Sequence, residues 1–276
     1  MVRMSSRRGV LAGVGTMLSA AVAGCSGLTP FVGQRVESSE RVPIEGASSL
    51  AVDVDAGDVT VRSEEREDVA VDVVKQSSSV GVDLSKFEFR VERPDDRVRF
   101  RGAWTGDAGL SGGPSMDLDV RVPTTLGVSA ARTRVGDVDV RDVTGDVAAR
   151  SSTGDVTVRS VAGTVRAETS TGDVTVEDVD AFAGASASTG DVTVEVPATD
   201  GDTGVETSTG DVTAAISADL DAAVRAETAT GDVDVSGLDL SDATIGDEVA
   251  AGTLGDGGPT LAFETNTGDV TLSALD

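Results

Sequence analysis

Residues Ser152-Thr153-Gly154-Asp155-Val156-Thr157-Val158 return, residue for residue, at 170–176 and 188–194. The inner tripeptide Gly-Asp-Val also begins at Gly57, Gly136, Gly145, Gly210, Gly231 and Gly268. Copies at Gly136, Gly154, Gly172 and Gly190 are 18 residues apart, Gly145 falls midway between two of them, and the later intervals are 20, 21 and 37. A chain that revisits the same residues at a fixed short period is one supersecondary unit stacked on itself, so the period is read first.

One unit shows how the stacking works. Val156, Val158 and Val161 alternate to one side, as do Val165, Ala167 and Thr169, while Asp155, Thr157, Arg166 and Glu168 take the other. Gly163 and Gly172 stand where the chain must turn, since glycine takes the positive φ of a tight corner. Period-two alternation with a corner after each half predicts a flattened β-coil of two short strands per turn. Successive coils then lie about 4.8 Å apart and equivalent residues form columns. Val156, Val174, Val192, Val212 and Val233 are expected to make one internal column, and Val147, Val165, Val205 and Val224 the opposite wall. Parallel strands joined this way should wind right-handed, and each coil needs its neighbours to bury its inner face. The interval of 37 leaves room for a degenerate unit near Val249.

The expected fold class is therefore all-β, a parallel β-solenoid with a small antiparallel segment towards its N-terminal side. Residues 67–123 carry that segment, with Val69-Ala70-Val71, Phe87-Glu88-Phe89 and Val98-Arg99-Phe100 as strand cores and Pro94-Asp95-Asp96 as a turn. Residues 124–276 carry the stacked repeats, and the whole β domain spans 45–276.

The run Val120-Arg121-Val122-Pro123 followed by the Ser-Thr-Gly-Asp-Val-Thr-Val copies resembles the DUF4097 family, β-strand repeat proteins regarded as candidate adhesins. The resemblance covers roughly residues 45–276. It implies a repetitive β scaffold and brings no catalytic residues with it.

Composition narrows the function classes. Aromatics are 3% of a chain that is 39% hydrophobic, so the core must be built from Val, Ala, Leu and Thr, which suits thin layers between strands. Asp and Glu number 48 against 22 Lys and Arg, giving a formal charge of −26. Nucleic acid is excluded as a partner because its phosphates need a basic footprint. Acidity with arginine strongly favoured over lysine resembles the proteins of extreme halophiles, whose carboxylate surfaces are screened by concentrated salt.

Residues 1–24 read as an export signal. Arg3, Arg7 and Arg8 precede an uncharged run from Gly9 to Gly24, and Arg7-Arg8 forms a twin-arginine motif. Val22-Ala23-Gly24-Cys25 resembles a lipobox, which makes Cys25 a lipidation site and residues 25–44 a tether. As the chain's one cysteine, Cys25 also excludes an internal disulfide. The expected location is extracytoplasmic, on the outer face of the cell membrane, with the membrane itself as partner through the lipid and a surface glycan or protein as a further one.

The chain has no histidine, no Gly-x-Ser-x-Gly elbow and no Walker loop. Apart from the covalent lipid no cofactor is expected. Asp137, Asp155, Asp173, Asp191, Asp211 and Asp232 should project outward one above another. Carboxylates about 4.8 Å apart repel by roughly 0.9 kcal/mol per pair in water. Screening by salt, capping of a backbone N–H, or a bridging calcium would relieve this. The spacing differs from the calcium-binding nonapeptide with paired glycines, so no metal site is expected. The column Thr157, Thr175, Thr193 and Thr213 reads as an exposed β face, and Trp104 as either a partner contact or apolar cover.

Three functions follow. The first is a non-enzymatic, adhesin-like or envelope-interaction scaffold. The second is a carbohydrate-active β-helix enzyme, for which Arg141, Arg150, Arg159, Arg166 and Arg225 are the available basic residues beyond position 135. The third is a self-assembling filament, if the terminal coil Leu261-Ala262-Phe263 and Val270-Thr271-Leu272 leaves an edge open. If screening governs the aspartate column, the solenoid loosens without salt. Circular dichroism across a salt series should then show recovery in molar NaCl or KCl and none in millimolar calcium; recovery in calcium alone would mark a cation site.

Overall fold

A computed structural model describes residues 33–106 and 113–275, which form a 21-stranded sheet and one 3-10 turn at Leu84–Lys86. Arg7, Arg8 and Cys25 lie outside the described residues. The N-terminal strands are β1 (Gln34–Pro43), β2 (Ser49–Val54), β3 (Val59–Glu64), β4 (Asp68–Ser77), β5 (Phe87–Glu92), β6 (Arg97–Trp104) and β7 (Ser115–Pro123). The regular repeats follow as β8 (Gly127–Thr133), β9 (Val138–Thr144), β10 (Val147–Arg150), β11 (Val156–Glu168), β12 (Val174–Ser186) and β13 (Val192–Val196).

These strands make a two-walled parallel β-solenoid. The first wall holds the strands that leave each Gly-Asp corner: β3, β9, the first halves of β11 and β12, and β13, each parallel to the next and in register. The second holds β2, β8, β10 and the second halves of β11 and β12. β11 and β12 run around the corner between walls, where Ser160 and Asp178 take φ of 53° in the left-handed region. Asp and Ser tolerate that region through local hydrogen bonds, and here the Ser160 hydroxyl donates to Asp178 Oδ2 at 2.8 Å.

The columns are those of a solenoid core. Val138, Val156, Val174, Val192 and Val212 are vertical neighbours, all essentially buried. On the second wall Val147, Val165 and Phe182 form one column, and Ala131, Ala149, Ala167, Ala185 and Val205 another. The single opposite wall expected from the sequence is thus two adjacent columns. The two columns stand two residues apart on the same strands, as Val147 and Ala149 do on β10, and Val205 joins the alanine column through Ala185, so Val147 and Val205 never align.

Both ends depart from sequence order. The coil of β2 and β3 lies between the coil of β6 and β7 and that of β8 and β9. The stretch 67–123 is therefore mixed: β4 and β5 run antiparallel to β7 and β6, while β6 and β7 lie parallel on β2 and β3 and form an outer coil. At the other end come β14 (Thr203–Thr209), β15 (Val212–Ser217), β16 (Ala222–Thr228), β17 (Val233–Ser236), β18 (Leu240–Ile245), β19 (Val249–Leu254), β20 (Thr260–Thr267) and β21 (Val270–Leu275). Here β20 inserts between β14 and β16, and β21 between β15 and β17.

Three expectations are corrected by this insertion. Val233 stacks on Val270 rather than on Val212, and Val224 stacks on Leu261. The coil of Leu261 and Val270 is interior and exposes no edge. The unit near Val249 is an antiparallel hairpin, β18–β19, laid on β16. With β5 at one end of the second wall and this hairpin at the other, reversed strands cover edges that would otherwise invite pairing with another chain.

A hydroxyl ladder lines the inside of the Gly-Asp corner. The residue three before each corner glycine donates to the glycine carbonyl of the adjoining coil: Thr133 to Gly57, Ser151 to Gly136 and Thr169 to Gly154, at 2.8, 2.8 and 2.9 Å. Thr207, Thr265 and Thr228 do the same for Gly190, Gly210 and Gly268. Among the described residues these buried hydroxyls are the donors to those carbonyls, and at Gly172 the position is Ala187, which is 6% exposed. Ala187→Ser should supply the missing bond and stabilise the fold by about 0.5–1.5 kcal/mol, whereas Ala187→Val should give no gain. Thermal melts of the two variants check this.

Candidate functional site

The aspartates of the Gly-Asp-Val corners form a continuous ladder. The N–H of Asp155 donates to Asp137 Oδ1 at 2.9 Å, Asp173 to Asp155 at 2.9 Å, Asp191 to Asp173 at 2.8 Å and Asp211 to Asp191 at 2.8 Å. The ladder continues through Asp269, which sequence reading missed, to Asp232. It starts from Asp58 and Asp117, with the Asp137 N–H on Asp58 and the Asp58 N–H on Asp117 at 3.2 Å. Each carboxylate caps the backbone N–H beside the next glycine. A hydrogen bond to a charged group contributes about 1.5–3 kcal/mol, more than the roughly 0.9 kcal/mol of repulsion per step. Among the described residues no three or more acidic or thiol side chains are grouped to hold a metal ion.

The outer face of the second wall carries the strongest charge pattern. Reading across the coils, one column runs Arg101, Asp53, Arg132, Arg150, Glu168, Ser186, Glu206, Glu264, Glu227. The N-terminal coils are thus basic and the C-terminal ones acidic. Two clefts lie on this face. One, of about 300 Å³, is lined by Asp53, Asp55, Arg101, Arg132, Arg134, Arg150 and Ser152; the other, of about 330 Å³, includes Ser186, Ser188, Glu206, Ser208, Glu264 and Asn266. Arg134 pairs with Asp55 at 2.9 Å and Arg150 with Glu168 at 2.8 Å.

The arginines suggested for an enzyme do not converge. Arg141 and Arg159 stand on the first wall, Arg150, Arg166 and Arg225 on the second. The threonine column extends to Thr271 and lies on the outside of the first wall. Trp104 is partly buried, its ring 5.6 Å from Phe87 and its backbone N–H on Asp55 Oδ2. The two clefts were missed in the sequence because their residues come from strands far apart in the chain, and only the register of the coils brings them side by side.

Asp117 heads the ladder in a half-buried position and also accepts from Gln76 Nε2 at 2.9 Å. Burial pushes its carboxyl up, while the Asp58 N–H works the other way. A raised carboxyl favours the fold at acid pH, and that contribution is lost as pH rises through its folded value. Asp117→Asn keeps an acceptor for Asp58 once Gln76 turns its amide, which releases the exposed Arg35 from its 3.3 Å bond to Gln76 Oε1 into water. The variant should melt above the parent at pH 7, with the gap closing as pH falls through the raised value of Asp117. Melts at constant high salt across pH check both the sign and the convergence.

In comparisons with solved structures the chain is similar to a candidate adhesin from Bacteroides fragilis, with 12% identity and a TM-score of 0.42 over 88% of this chain and 97% of that one. It is also similar to a candidate cell adhesion protein from Clostridium sporogenes, with 11% identity and a TM-score of 0.35 over 88% and 100%. No curated protein matches the sequence. The family model Toastrack DUF4097 matches residues 106–273, more than half of the chain and most of the stacked coils. The chain belongs to the Toastrack DUF4097 family.

Proposed function

We propose that the chain is a non-enzymatic surface scaffold of a salt-adapted cell, exported through Arg7 and Arg8, held on the outer face of the membrane by a lipid on Cys25, and adhesive through its outer sheet faces. In this reading residues 1–24 are removed; because β1 (Gln34–Pro43) pairs along the whole of β4, the tether shortens from the expected 25–44 to 25–33 and the displayed domain begins at 34 rather than 45. The observation that carries it is how the solenoid uses its interior. Inward positions of both walls, from Val52 and Phe100 to Phe263 and Leu272, pack into one hydrophobic core. Contact with anything else therefore falls on the outer faces, whose stacked columns present the same chemistry coil after coil. The separation of the five nominated arginines between two walls weighs against a single catalytic groove.

Cell fractionation tests the location. The parent chain should partition into detergent with the membrane, and Cys25→Ser should release it to the medium. Arg7→Lys/Arg8→Lys should leave an unprocessed precursor inside. Deletion should reduce attachment between cells or to a surface, and the parent gene should restore it where Cys25→Ser does not. A Cys25→Ser protein that stays membrane-bound, or unchanged attachment on deletion, would contradict the reading. Cleavage of an acidic polysaccharide in a product screen would replace the scaffold with the enzyme.

A further inference from the structure

We propose that the arginine cleft on the second wall is a binding site for a glycan chain bearing carboxylate or sulfate groups; this rests on the surface-scaffold reading and names its partner chemistry. The molecule supplies its own control. On the outer face of the first wall Arg121, Arg62, Arg141 and Arg159 also stack coil on coil, and each has a carboxylate: Asp72 at 2.6 Å, Asp119 at 3.1 Å, Asp139 at 3.5 Å and Glu177 at 2.7 Å. On the second wall the guanidiniums of Arg99, Arg101 and Arg132 make no ion pair or hydrogen bond among the described residues. In a chain with 48 acidic against 22 basic side chains, guanidiniums left without carboxylates are the exception.

The chemistry of the cleft selects the ligand. Four guanidiniums, those of Arg101, Arg132, Arg134 and Arg150, face the same space as the carboxylates of Asp53 and Asp55. Guanidinium forks match carboxylate and sulfate oxygens. Asp55 is held by Arg134 and the Trp104 N–H, which leaves the Asp53 carboxylate to accept from a hydroxyl, and a sugar ring carries hydroxyls alongside its anionic group. Arg101, Asp53, Arg132 and Arg150 lie on four successive coils about 4.8 Å apart, so a chain rather than a single ion can lie across them; the neighbouring Ala51 and Ala130 are buried and take no part. A close-packed anionic lipid surface would press its phosphates on the Asp53 carboxylate that lies between Arg101 and Arg132, whereas on a glycan the hydroxyls outnumber the anionic groups, so the glycan is favoured.

Net charge gives the site a salt signature. At about 0.01 M salt the Debye length is about 30 Å and the whole acidic molecule repels a polyanion; at about 1 M it is about 3 Å and only the contacting arginines are felt. Affinity should therefore rise from low salt and persist near 1 M, opposite to the steady fall of non-specific polyanion binding.

Titration calorimetry of the full chain carrying Cys25→Ser, free of lipid and detergent, with oligogalacturonate, a sulfated oligosaccharide, neutral dextran and phosphatidylglycerol vesicles, tests the site at several NaCl concentrations. At least one anionic probe should bind and dextran should not. Arg101→Ser/Arg132→Ser should weaken binding by about tenfold or more, roughly the loss of one charge-assisted contact or more. Arg62→Ser/Arg159→Ser on the first wall should leave it within about twofold, with both variants keeping the parent β spectrum. No binding of either anionic probe, equal loss in both variants, or stronger binding to phosphatidylglycerol vesicles than to either glycan would overturn the proposal. Because the titration does not depend on where the protein resides, its failure is separable from failure of the fractionation test.

Discussion

At the Gly-Asp-Val corners of Gly136, Gly154, Gly172, Gly190, Gly210, Gly231 and Gly268 the carbonyl oxygen of one glycine occupies the place where the next glycine's side chain would be. A Cβ on Gly172 would lie 2.3 Å from the Gly154 oxygen, and one on Gly190 would lie 2.0 Å from that of Gly172. No other residue fits, and φ near 133° adds a second reason for glycine. This contact lets the backbone of one coil settle onto the next closely enough for the aspartate carboxylate outside and the threonine hydroxyl inside to reach it. The corner thus holds three vertical connections per coil: the parallel strand ladder, the Asp rung and the hydroxyl rung.

Stacking of this kind makes coils interchangeable. The Asp269 N–H bonds to Asp211 as the Asp211 N–H bonds to Asp191, although the first pair is 58 residues apart and the second 20. An inserted coil therefore fits wherever a corner is open, which is how 260–275 comes to lie between two earlier coils and 49–64 between two later ones. Antiparallel strands stop the stacking, because a reversed strand such as β19 or β4 offers no Gly-Asp corner for a further layer.

The regular coils were legible because period, alternation and glycine placement all point to one structure. The order of the end coils was not. Every Gly-Asp-Val copy carries the same corner chemistry, so residues near Gly231 cannot specify whether Gly210 or Gly268 lies beneath them. Asp117 escaped notice because Met116 stands where glycine usually precedes the aspartate. The charge-split face was hidden for a different reason: Arg101, Asp53, Arg132 and Arg150 become a row only after the register is known. Trp104, which the sequence left open between partner contact and apolar cover, ends β6 and packs on Phe87 only because β5 pairs back on that strand.

Cross-linking measures the order of the coils directly. With Cys25→Ser as background, Thr213→Cys can be paired with Thr271→Cys, its neighbour across one layer, or with Asp234→Cys, one layer further on. Parallel neighbours lie about 4.8 Å apart and the second pair about twice that, beyond what a disulfide spans. Mild oxidation should link residues 213 and 271 readily and leave 213 and 234 as free thiols. A bond between 213 and 234 with none between 213 and 271 would mean that the coils stack in chain order and that the corner does not accept an inserted layer.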